Sequence, residues 1–402
     1  MLKDPEKLSD VEQDRLIVRV SQVFSPNTPI DKKQLFAGRK PQIHQLIDAI
    51  FQRGQHVIVY GERGVGKTSL VKVLPDFIEA AELNDIVACR VPCTSEDSSD
   101  SLWKKMFSEI DISEDEENPR TLDEDIAGKK VTPHLIHQQL KRITSGDRLV
   151  VLTFDEIDIL KDKKVKQTFA ETIKSISDDA TRATIVLAGV ADDVDALIEY
   201  HPSTERNLIQ IHMPRMSEAE SKEILITNGL DALNLGIEDS CTEKIIKISQ
   251  GLPHYVHLLG RNSAREAIEE GSRNIRQKHI GAAIEKSISQ VHQTTKSEYI
   301  KAVSSSRKNT NYKEVLLACA LAESDEFSKF AAVDVREPMR KVMKRETYRI
   351  ENFAKNLTDL SGEKRGSILE KSGQPRSYRY KFRNPLMQAY VIMRGIKEGL
   401  IS

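Results

Sequence analysis

Residues 61–68 combine three glycines with a lysine and a threonine in the order Gly-Glu-Arg-Gly-Val-Gly-Lys-Thr. This order fits the pattern GxxxxGK(S/T), in which glycines let backbone N–H groups turn inward around a phosphate. In that interpretation, Lys67 bridges the β- and γ-phosphates of ATP, and Thr68 gives its hydroxyl to Mg²⁺. The sequence therefore predicts a nucleotide site with contacts from Gly61, Glu62, Arg63, Gly64, Val65, Gly66, Lys67, Thr68 and Ser69.

A second group with chemical potential follows the apolar run 149–154, where Asp155 and Glu156 stand side by side. Together with the glycine-rich motif, this pair predicts that Asp155 holds the Mg²⁺ shell. Glu156 is then the catalytic residue that polarises the attacking water, because hydrolysis needs a base within hydrogen-bond reach. The alternative is a site that binds nucleotide and hydrolyses it slowly or not at all, since acidic residues often end strands.

The elements that must position these residues alternate between strands and helices. Short β-branched runs at 56–61, 85–92, 149–156 and 183–190 predict strands, and helical apolar spacing fills the intervals between them. This alternation predicts an α/β core with a mostly parallel sheet and helices on both faces. From 217 to 292 the helical period dominates, which predicts a separate all-α lid.

With both motifs in place, the chain resembles the AAA+/STAND superfamily of P-loop ATPases, and most of all the origin-initiator-like and archaeal-ATPase-like branches. Residues 35–50, "LFAGRKPQIHQLIDAI", resemble the segment in which Arg39 and its helix border the adenine. Residues 183–197 resemble the strand that carries a first sensor of the γ-phosphate. Asp192 occupies the sensor position, where initiator relatives usually have asparagine.

Two further segments carry phosphate-sensing residues in the resemblance. Residues 201–220 resemble the segment whose arginine reaches a neighbouring subunit's γ-phosphate, which implies a homo-oligomer. Arg206 fits this role best, Arg215 is the reserve, and a surface ion pair is the alternative. Gly-Leu-Pro at 251–253 resembles the turn by which STAND proteins report the state of the phosphates. It is followed by His254, a nucleotide contact in this interpretation or else a packed core histidine.

The C-terminal region resembles a winged-helix domain, with helices predicted at 311–322 and 347–360 and a hairpin wing at about 366–383. Residues 296–402 carry a net charge of +9, whereas the rest of the chain carries −10. Alternation along a strand places cations on one face of the wing and aromatic side chains on the other. The predicted double-stranded DNA contacts are Arg376, Arg379, Lys381 and Arg383. The alternative is a wing that contacts protein.

Composition excludes several other classes of protein. No apolar run approaches the length of a membrane span, and the N-terminus lacks a signal-peptide core, which predicts a cytoplasmic protein with no membrane partner. Four scattered cysteines predict neutral thiols rather than disulfides, with a zinc site at Cys89 and Cys93 as the weaker alternative. The acidic block 111–125 predicts a solvated surface loop.

These observations combine into one prediction: a multidomain ATPase switch, slow by itself and stimulated by a partner, whose nucleotide state controls oligomerisation and engagement of DNA or a protein. Two alternatives stay open. One is a STAND-type signalling or defence ATPase that controls an effector without touching DNA, and the other is a non-hydrolysing nucleotide-binding scaffold. The predicted domains are an arm at 1–30, the P-loop core at 31–215, the lid at 216–295 and the winged helix at 296–402.

Overall fold

The computed structural model describes residues 7–79, 85–113, 119–144, 148–191, 197, 205–305 and 310–401. The chain divides into two compact units. The sheet unit comprises 29–62 and 66–214, and the helical unit comprises 1–28, 63–65 and 215–402. Among the described residues, no helix has an apolar stretch long enough to cross a lipid bilayer.

The sheet unit is built on five strands that are all parallel and lie in the order β2-β3-β4-β1-β5. The strands are β1 His56–Gly61, β2 Ile86–Pro92, β3 Leu149–Asp155, β4 Ala183–Val190 and β5 Leu208–His212. The first four confirm the predicted strands and the α/β class. The fifth was not predicted, because its five residues lie inside the segment interpreted as the arginine-bearing loop.

Helices flank this sheet, as the alternation of elements predicts. Following α1 Asp10–Val23 of the helical unit, they are α2 Lys40–Phe51, α3 Lys67–Glu79, α4 Ser99–Ser108, α5 Pro133–Ile143 and α6 Lys163–Asp178. Helix α3 runs on through Pro75 without an interruption. Helix α5 begins with a Thr132 side chain that accepts the Leu135 N–H, and helix α6 begins with Asp162, which accepts from Lys164 N–H.

An aromatic cluster anchors the strand that ends in the acidic pair. The ring of Phe154 on β3 lies 5.0 Å from Trp103 and 4.8 Å from Phe169, and all three side chains are buried. Aromatic pairs at these separations add to the free energy gained by burial. Helices α4 and α6 therefore hold the end of β3 from one face, which fixes the direction in which the next residue, Asp155, points.

The acidic block is more structured than its composition predicts. Residues 122–126 form a 3₁₀ turn whose Leu122 and Ile126 are completely buried in the core. Asp125 lies between the guanidinium groups of Arg120 and Arg142. Composition describes the charges of this block correctly but misses the two apolar residues that anchor it. Residues 114–118 lie outside the described part of the chain.

The helical unit begins with α1, inside the segment predicted as an arm. Leu16, Val20 and Phe24 are buried, and Arg19 donates a 2.5 Å hydrogen bond to the Ala232 carbonyl. The predicted lid is helical, with a short two-stranded pairing of β6 Gly236–Ile237 and β7 Asn274–Ile275. Its helical segments are α7 Glu218–Lys222, a π-helical stretch Glu223–Leu230, α8 Asp231–Leu233, α9 Asp239–Ser249, α10 Pro253–Glu269 and α11 Gln277–Gln290.

The C-terminal part of the helical unit carries a small antiparallel sheet of order β8-β10-β9. The strands are β8 Phe330–Ala331, β9 Leu369–Ser372 and β10 Arg379–Phe382, and the helices are α12 Gln293–Val303, α13 Tyr312–Ala320, α14 Arg336–Met343, α15 Ala354–Leu360 and α16 Leu386–Lys397. Strands β9 and β10 form a hairpin within the predicted wing segment. That this region acts as a winged helix stays a prediction, as do the finer domain boundaries.

Candidate functional site

The phosphate-loop motif follows β1 directly and has the backbone conformation that its glycines permit. Gly61, Gly64 and Gly66 have φ angles of 148°, 89° and 101°, a region that side-chain-bearing residues rarely adopt. A Cβ on Gly61 would lie 2.5 Å from the Met213 carbonyl oxygen, so only glycine fits where β1 ends. The glycines thus permit the backbone conformation that the motif requires between β1 and α3.

Lys67, the first residue of α3, lies inside this loop. Its side chain is buried, and its Nζ donates hydrogen bonds to the carbonyl oxygens of Gly61 at 2.9 Å and Glu62 at 2.8 Å. An ammonium that is held by two carbonyls at the start of a helix presents its charge beside the N-terminal N–H groups. This arrangement can bind an anion such as a phosphate.

Thr68 and Asp155 meet at the same edge of the sheet. Parallel strands bring their carboxyl ends together, and the register pairs Gly61 with Val190 and Asp155 with Ala188 on the strand between them. As a result, the Thr68 Oγ1 lies 3.4 Å from Asp155 Oδ1. Asp155 is 2% exposed, so its carboxylate sits below the loop rather than in bulk water.

Glu156 follows immediately, in a conformation that differs from that of the strand. Its φ is 61°, uncommon for a residue other than glycine, and its N–H donates a 3.0 Å hydrogen bond to Asp155 Oδ1. The turn sends the Glu156 side chain to the exposed surface while Asp155 stays buried. Backbone strain of this kind costs about 1–3 kcal/mol and is concentrated at functional sites.

The donor set of this edge fits a magnesium nucleotide. A hydroxyl and a carboxylate are the oxygen ligands that Mg²⁺ takes from proteins, with substrate phosphates completing its shell. A Cβ built on Gly66 would meet no atom within 4 Å apart from its chain neighbours and local backbone, so the loop has room on this side for a phosphate. Among the described residues, no three His, Cys, Asp or Glu side chains are grouped as a metal cluster.

Ser69 and Arg39, which are also predicted to contact the nucleotide, have protein partners. The Ser69 hydroxyl accepts a 3.1 Å hydrogen bond from the Ile30 N–H. Arg39 is 1% exposed and has a φ of 58° at the position that precedes α2. Asp192 lies outside the described residues, so its sensor role stays a prediction.

The two candidate arginines have different environments. Arg206 is exposed, and its carbonyl oxygen accepts a hydrogen bond from Gln55 Nε2 at 3.4 Å. Arg215 belongs to the helical unit, where its Nη1 donates to Gln388 Oε1 at 2.6 Å and to the Gln250 carbonyl at 3.3 Å. Arg206 is thus exposed, whereas Arg215 is bonded within its own unit.

The Gly-Leu-Pro turn is tightly built. Gly251 has a φ of 70°, its carbonyl accepts the Met216 N–H at 2.9 Å, and an added Cβ would lie 2.5 Å from the Met216 carbonyl oxygen. His254 Nδ1 lies 2.6 Å from the Pro26 carbonyl oxygen. Burial lowers the pKa of His254, and the hydrogen bond to Pro26 opposes that shift. These contacts are those of a packed histidine within the helical unit.

The predicted wing has the expected alternation of faces. Tyr380 and Phe382 are each 5% exposed, whereas Arg379 and Arg383 point to the surface. Carboxylates lie near these cations: Arg379 is 3.8 Å from Asp334. Glu370 lies 3.3 Å from Lys381 and 3.9 Å from Arg383. Arg376 is exposed in the hairpin loop, with a φ of 76°. The cationic face is thus partly neutralised by carboxylates of β9 and of the segment after β8.

Two features of potential function were missed from the sequence. Arg90 on β2 contacts Asp155, and nothing in one sequence indicates that these residues lie on neighbouring strands. The second is a basic surface on and after α14. Residues 336–349 contain six Lys or Arg and two Glu, and their density was a visible signal that the focus on the wing passed over. The basic residues are Arg336, Arg340, Lys341, Lys344, Arg345 and Arg349.

The thiols near the site are not reactive groups. Burial, followed by the charge of Glu109, raises the pKa of Cys89 to about 11. Burial, followed by neighbouring carboxylates, raises the pKa of Cys93 to about 12. With these pKa values, both thiols are neutral near pH 7. Because the thiolate is the form that binds metals and attacks electrophiles, neither side chain is expected to do so.

Comparisons with known proteins agree with this geometry. A family model described as Novel STAND NTPase 1 matches residues 28–318, more than half of the chain. An ORC1-type DNA replication protein of Methanospirillum hungatei is 24% identical over 164 residues, which are 39% of this chain and 38% of that protein. The match thus spans less than half the length of that relative.

Two solved structures align with nearly the whole chain. One is the Walker-type ATPase of Pyrococcus abyssi, with a TM-score of 0.52 at 16% identity, covering 92% of this chain and 99% of that one. The other is the ORC1 protein of Aeropyrum pernix in complex with DNA, with a TM-score of 0.48 at 13% identity, covering 94% and 97%. The loop, the acidic pair, the parallel sheet and the family match lead to one assignment. The chain belongs to the Novel STAND NTPase 1 family, a family of P-loop NTPases.

Proposed function

We propose that this chain binds and hydrolyses ATP and uses the nucleotide state as a conformational switch. The observation that carries this proposal is the convergence at one sheet edge of Lys67 inside the loop and Thr68 3.4 Å from the buried Asp155. Glu156 stands beside them. A scaffold that only bound nucleotide would not need this carboxylate.

Each side chain has one task in this proposal. Lys67 and the loop N–H groups bind phosphate oxygens, and Thr68 and Asp155 hold the metal. Glu156 accepts a proton from the attacking water. A base positioned in this way typically raises the rate of a reaction about 10²–10⁴-fold. When bound, ATP supplies the phosphoanhydride bond and Mg²⁺ neutralises charge on the phosphates.

A hydrogen-bond network inside the helical unit supports coupling to the C-terminal region. Gln388 on α16 is 5% exposed, and its Nε2 donates to Gln250 Oε1 and to the Ala320 carbonyl, both at 2.9 Å. Tyr255, four residues past Gly251, donates to the Leu386 carbonyl at 2.7 Å. Because buried polar groups are costly to leave unpaired, a shift of the Gly-Leu-Pro turn requires α16 to follow.

The exposure of Arg206 supports a role for this residue in an oligomer. In the proposal, Arg206 of one subunit completes the ATP site of the next and stabilises charge that develops on the transferred phosphoryl group. Mixing two inactive variants tests this directly. Arg206→Ala keeps its own site, and Glu156→Gln keeps its arginine, so mixed oligomers should recover turnover. Arg215→Ala serves as the parallel variant, because Arg215 is bonded inside its own unit.

Engagement of DNA is the finer part of the proposal. The wing and the basic residues around α14 belong to the same region, since β8 pairs with β10 and is followed by α14. Half to two-thirds of protein–DNA hydrogen bonds go to phosphate and sugar, which suits a surface of Lys and Arg. A second candidate is a STAND-type regulator of a protein effector. The carboxylates near Arg379, Lys381 and Arg383 favour it, because they reduce the potential available to a polyanion.

The deciding experiment measures ATP turnover with and without double-stranded DNA, at two protein concentrations and low salt, with Lys67→Ala as the inactive control. Stimulation by DNA that is lost in Lys67→Ala supports the DNA-engaging switch. A turnover rate per subunit that is unchanged by DNA but rises with protein concentration supports a self-associating regulator of a protein effector. If the protein binds ATP but shows no turnover above the Lys67→Ala background under any condition, the proposal that it hydrolyses ATP is wrong. The protein is then a nucleotide-binding scaffold.

A further inference from the structure

Arg90 forms an ion pair with the carboxylate that the proposed function assigns to the metal. Its Nη2 lies 2.6 Å from Asp155 Oδ2, and the two side chains are 27% and 2% exposed. The register explains the contact: Pro92 pairs with Asp155, and residues two apart on a strand face the same side. Arg90 therefore reaches Asp155 diagonally from the neighbouring strand.

This contact divides the work of the two carboxylate oxygens. Oδ2 is held by the guanidinium, while Oδ1 accepts the Glu156 N–H at 3.0 Å and lies 3.4 Å from the Thr68 hydroxyl. A charge-assisted hydrogen bond of this length fixes the orientation of the acceptor. Arg90 thus turns one oxygen of Asp155 toward the hydroxyl that shares its proposed task.

The charge of Arg90 has a second consequence. A carboxylate that is 2% exposed lies close to where the loop would hold a polyphosphate, and like charges repel strongly at low effective dielectric. An uncompensated Asp155 would weaken binding of the metal-free nucleotide. The same uncompensated charge would attract a divalent cation before any nucleotide arrives. A guanidinium at 2.6 Å reduces both effects.

We propose that Arg90 is a positioning residue that neutralises Asp155, so that nucleotide enters the site without metal and Mg²⁺ binds well only after phosphates are present. This inference rests on the proposed function of the site. It makes two predictions of opposite sign for Arg90→Gln. The affinity for metal-free ATP should fall, and the affinity for Mg²⁺ alone should rise.

The test uses the full chain and titrates a fluorescent ATP analogue in EDTA and in excess Mg²⁺. In Arg90→Gln, the dissociation constant in EDTA divided by that in excess Mg²⁺ should increase about tenfold over wild type, the order of effect expected for one partly screened charge near the phosphates. Without nucleotide, Mn²⁺ titrated as a probe of the metal site should bind more tightly to the variant. Arg90→Lys keeps the charge and should stay within about twofold of wild type in the ratio.

Arg148→Gln is the matched control, because Arg148 Nε lies 2.6 Å from Asp85 Oδ1 in the same unit. Its ratio should equal that of wild type. Removing one partner of a buried pair can destabilise the fold, so the double variant Arg90→Gln/Asp155→Asn is measured as well. With both charges gone, its metal-free affinity should return to the wild-type value or exceed it.

The outcomes separate the inference from the proposed function. If the wild type binds the analogue but Arg90→Gln leaves the ratio within about twofold and Mn²⁺ affinity unchanged, Arg90 is a structural ion pair and the inference is overturned. A double variant that binds metal-free nucleotide more weakly than wild type also overturns it. If the wild type binds no nucleotide with or without Mg²⁺, the proposed function fails and the inference fails with it.

Discussion

The phosphate loop and the wing both gather charged residues, but they hold them differently. At the loop, Lys67 is buried and bonded to two carbonyls, and Asp155 is fixed by Arg90 from the neighbouring strand. On the wing, Arg379 is half exposed and lies 3.8 Å from an Asp334 carboxylate oxygen. The loop has one geometry for its charges, whereas the wing offers charges that can rearrange.

This difference explains why the two regions predict function with unequal precision. A buried, hydrogen-bonded charge cluster selects its ligand by shape as well as by charge, since each group must be satisfied when the ligand binds. An exposed cationic surface attracts any polyanion and is screened by salt. Variants of the loop should therefore give large, specific losses, and variants of the wing should give smaller losses that depend on ionic strength.

The largest expected effect is that of Glu156→Gln. Replacing the carboxylate with an amide removes the base but keeps the size of the side chain, so ATP turnover should fall about 10²–10⁴-fold. ATP affinity should stay within about threefold of wild type, because Glu156 is exposed and its backbone N–H, not its side chain, supports Asp155. Steady-state turnover and equilibrium binding together measure both quantities.

The matched control for that variant is Glu171→Gln, on the exposed surface of α6. It removes the same charge at a place where the side chain accepts a hydrogen bond from Gln167. Its turnover should equal that of wild type. If Glu156→Gln also keeps wild-type turnover, Glu156 has no part in hydrolysis and the loop loses its catalytic distinction from the wing.

A pair of glycine substitutions should change stability in opposite directions. Gly61→Ala places a methyl group 2.5 Å from the Met213 carbonyl oxygen at a φ of 148°, so the free energy of unfolding should fall by about 2–4 kcal/mol. Gly281→Ala lies on the exposed face of α11 with no neighbour within 4 Å, and it should raise that free energy by about 0.5–1 kcal/mol. Urea unfolding measures both. If Gly61→Ala does not lower the free energy of unfolding, the end of β1 tolerates a side chain.

How much the sequence could predict follows from the range of the interactions involved. The loop, the acidic pair and four strands were predictable because each depends on residues close in sequence. The Arg90–Asp155 pair joins residues 65 positions apart and depends on which strands are neighbours. The carboxylates that neutralise the wing come from β9 and from the residues after β8, so the charge pattern of one strand overstates its potential.

Reversing charge on the wing should produce a moderate, salt-dependent loss. Affinity for DNA falls with salt, with a slope of log affinity against log salt of about −0.9 for each phosphate contact. If Arg379 and Lys381 each contact a phosphate, Arg379→Glu/Lys381→Glu should reduce the magnitude of that slope by about two. ATP affinity should not change. Fluorescence anisotropy with a labelled duplex at several salt concentrations measures the slope.

The control for the wing reverses two ion-paired cations of the sheet unit. Lys141 lies 3.0 Å from Asp179, and Arg148 lies 2.6 Å from Asp85, so Lys141→Glu/Arg148→Glu makes the same change in net charge. A slope that falls equally in both variants would indicate a general charge effect. A slope that falls in neither would remove DNA contact from the wing.

The last comparison concerns pH and separates the two regions by their histidines. His56 at the start of β1 is completely buried; its Nδ1 accepts the Ile185 N–H at 2.9 Å and its Nε2 lies 3.1 Å from Ser177 Oγ. Burial lowers its pKa to about 3. The folded state then binds fewer protons than the unfolded state, whose histidine titrates near pH 6.5. The stabilising contribution is therefore present above about pH 6.5 and is lost as pH falls toward 3.

As pH falls between those limits, protonation of His56 alone should lower the free energy of unfolding by at most about 1.4 kcal/mol for each pH unit. His56→Gln should reduce the slope of that free energy against pH by about 1.4 kcal/mol per pH unit, the effect of one proton, whatever its effect on absolute stability. Residues 296–402 contain no histidine, so the salt slope of DNA binding by the wing should be the same at about pH 6 and about pH 8. Two results would contradict the distinction between a buried, protonation-sensitive sheet and an exposed surface of permanent charges. One is a salt slope of DNA binding that changes with pH. The other is a free energy of unfolding whose dependence on pH is the same in His56→Gln and in wild type.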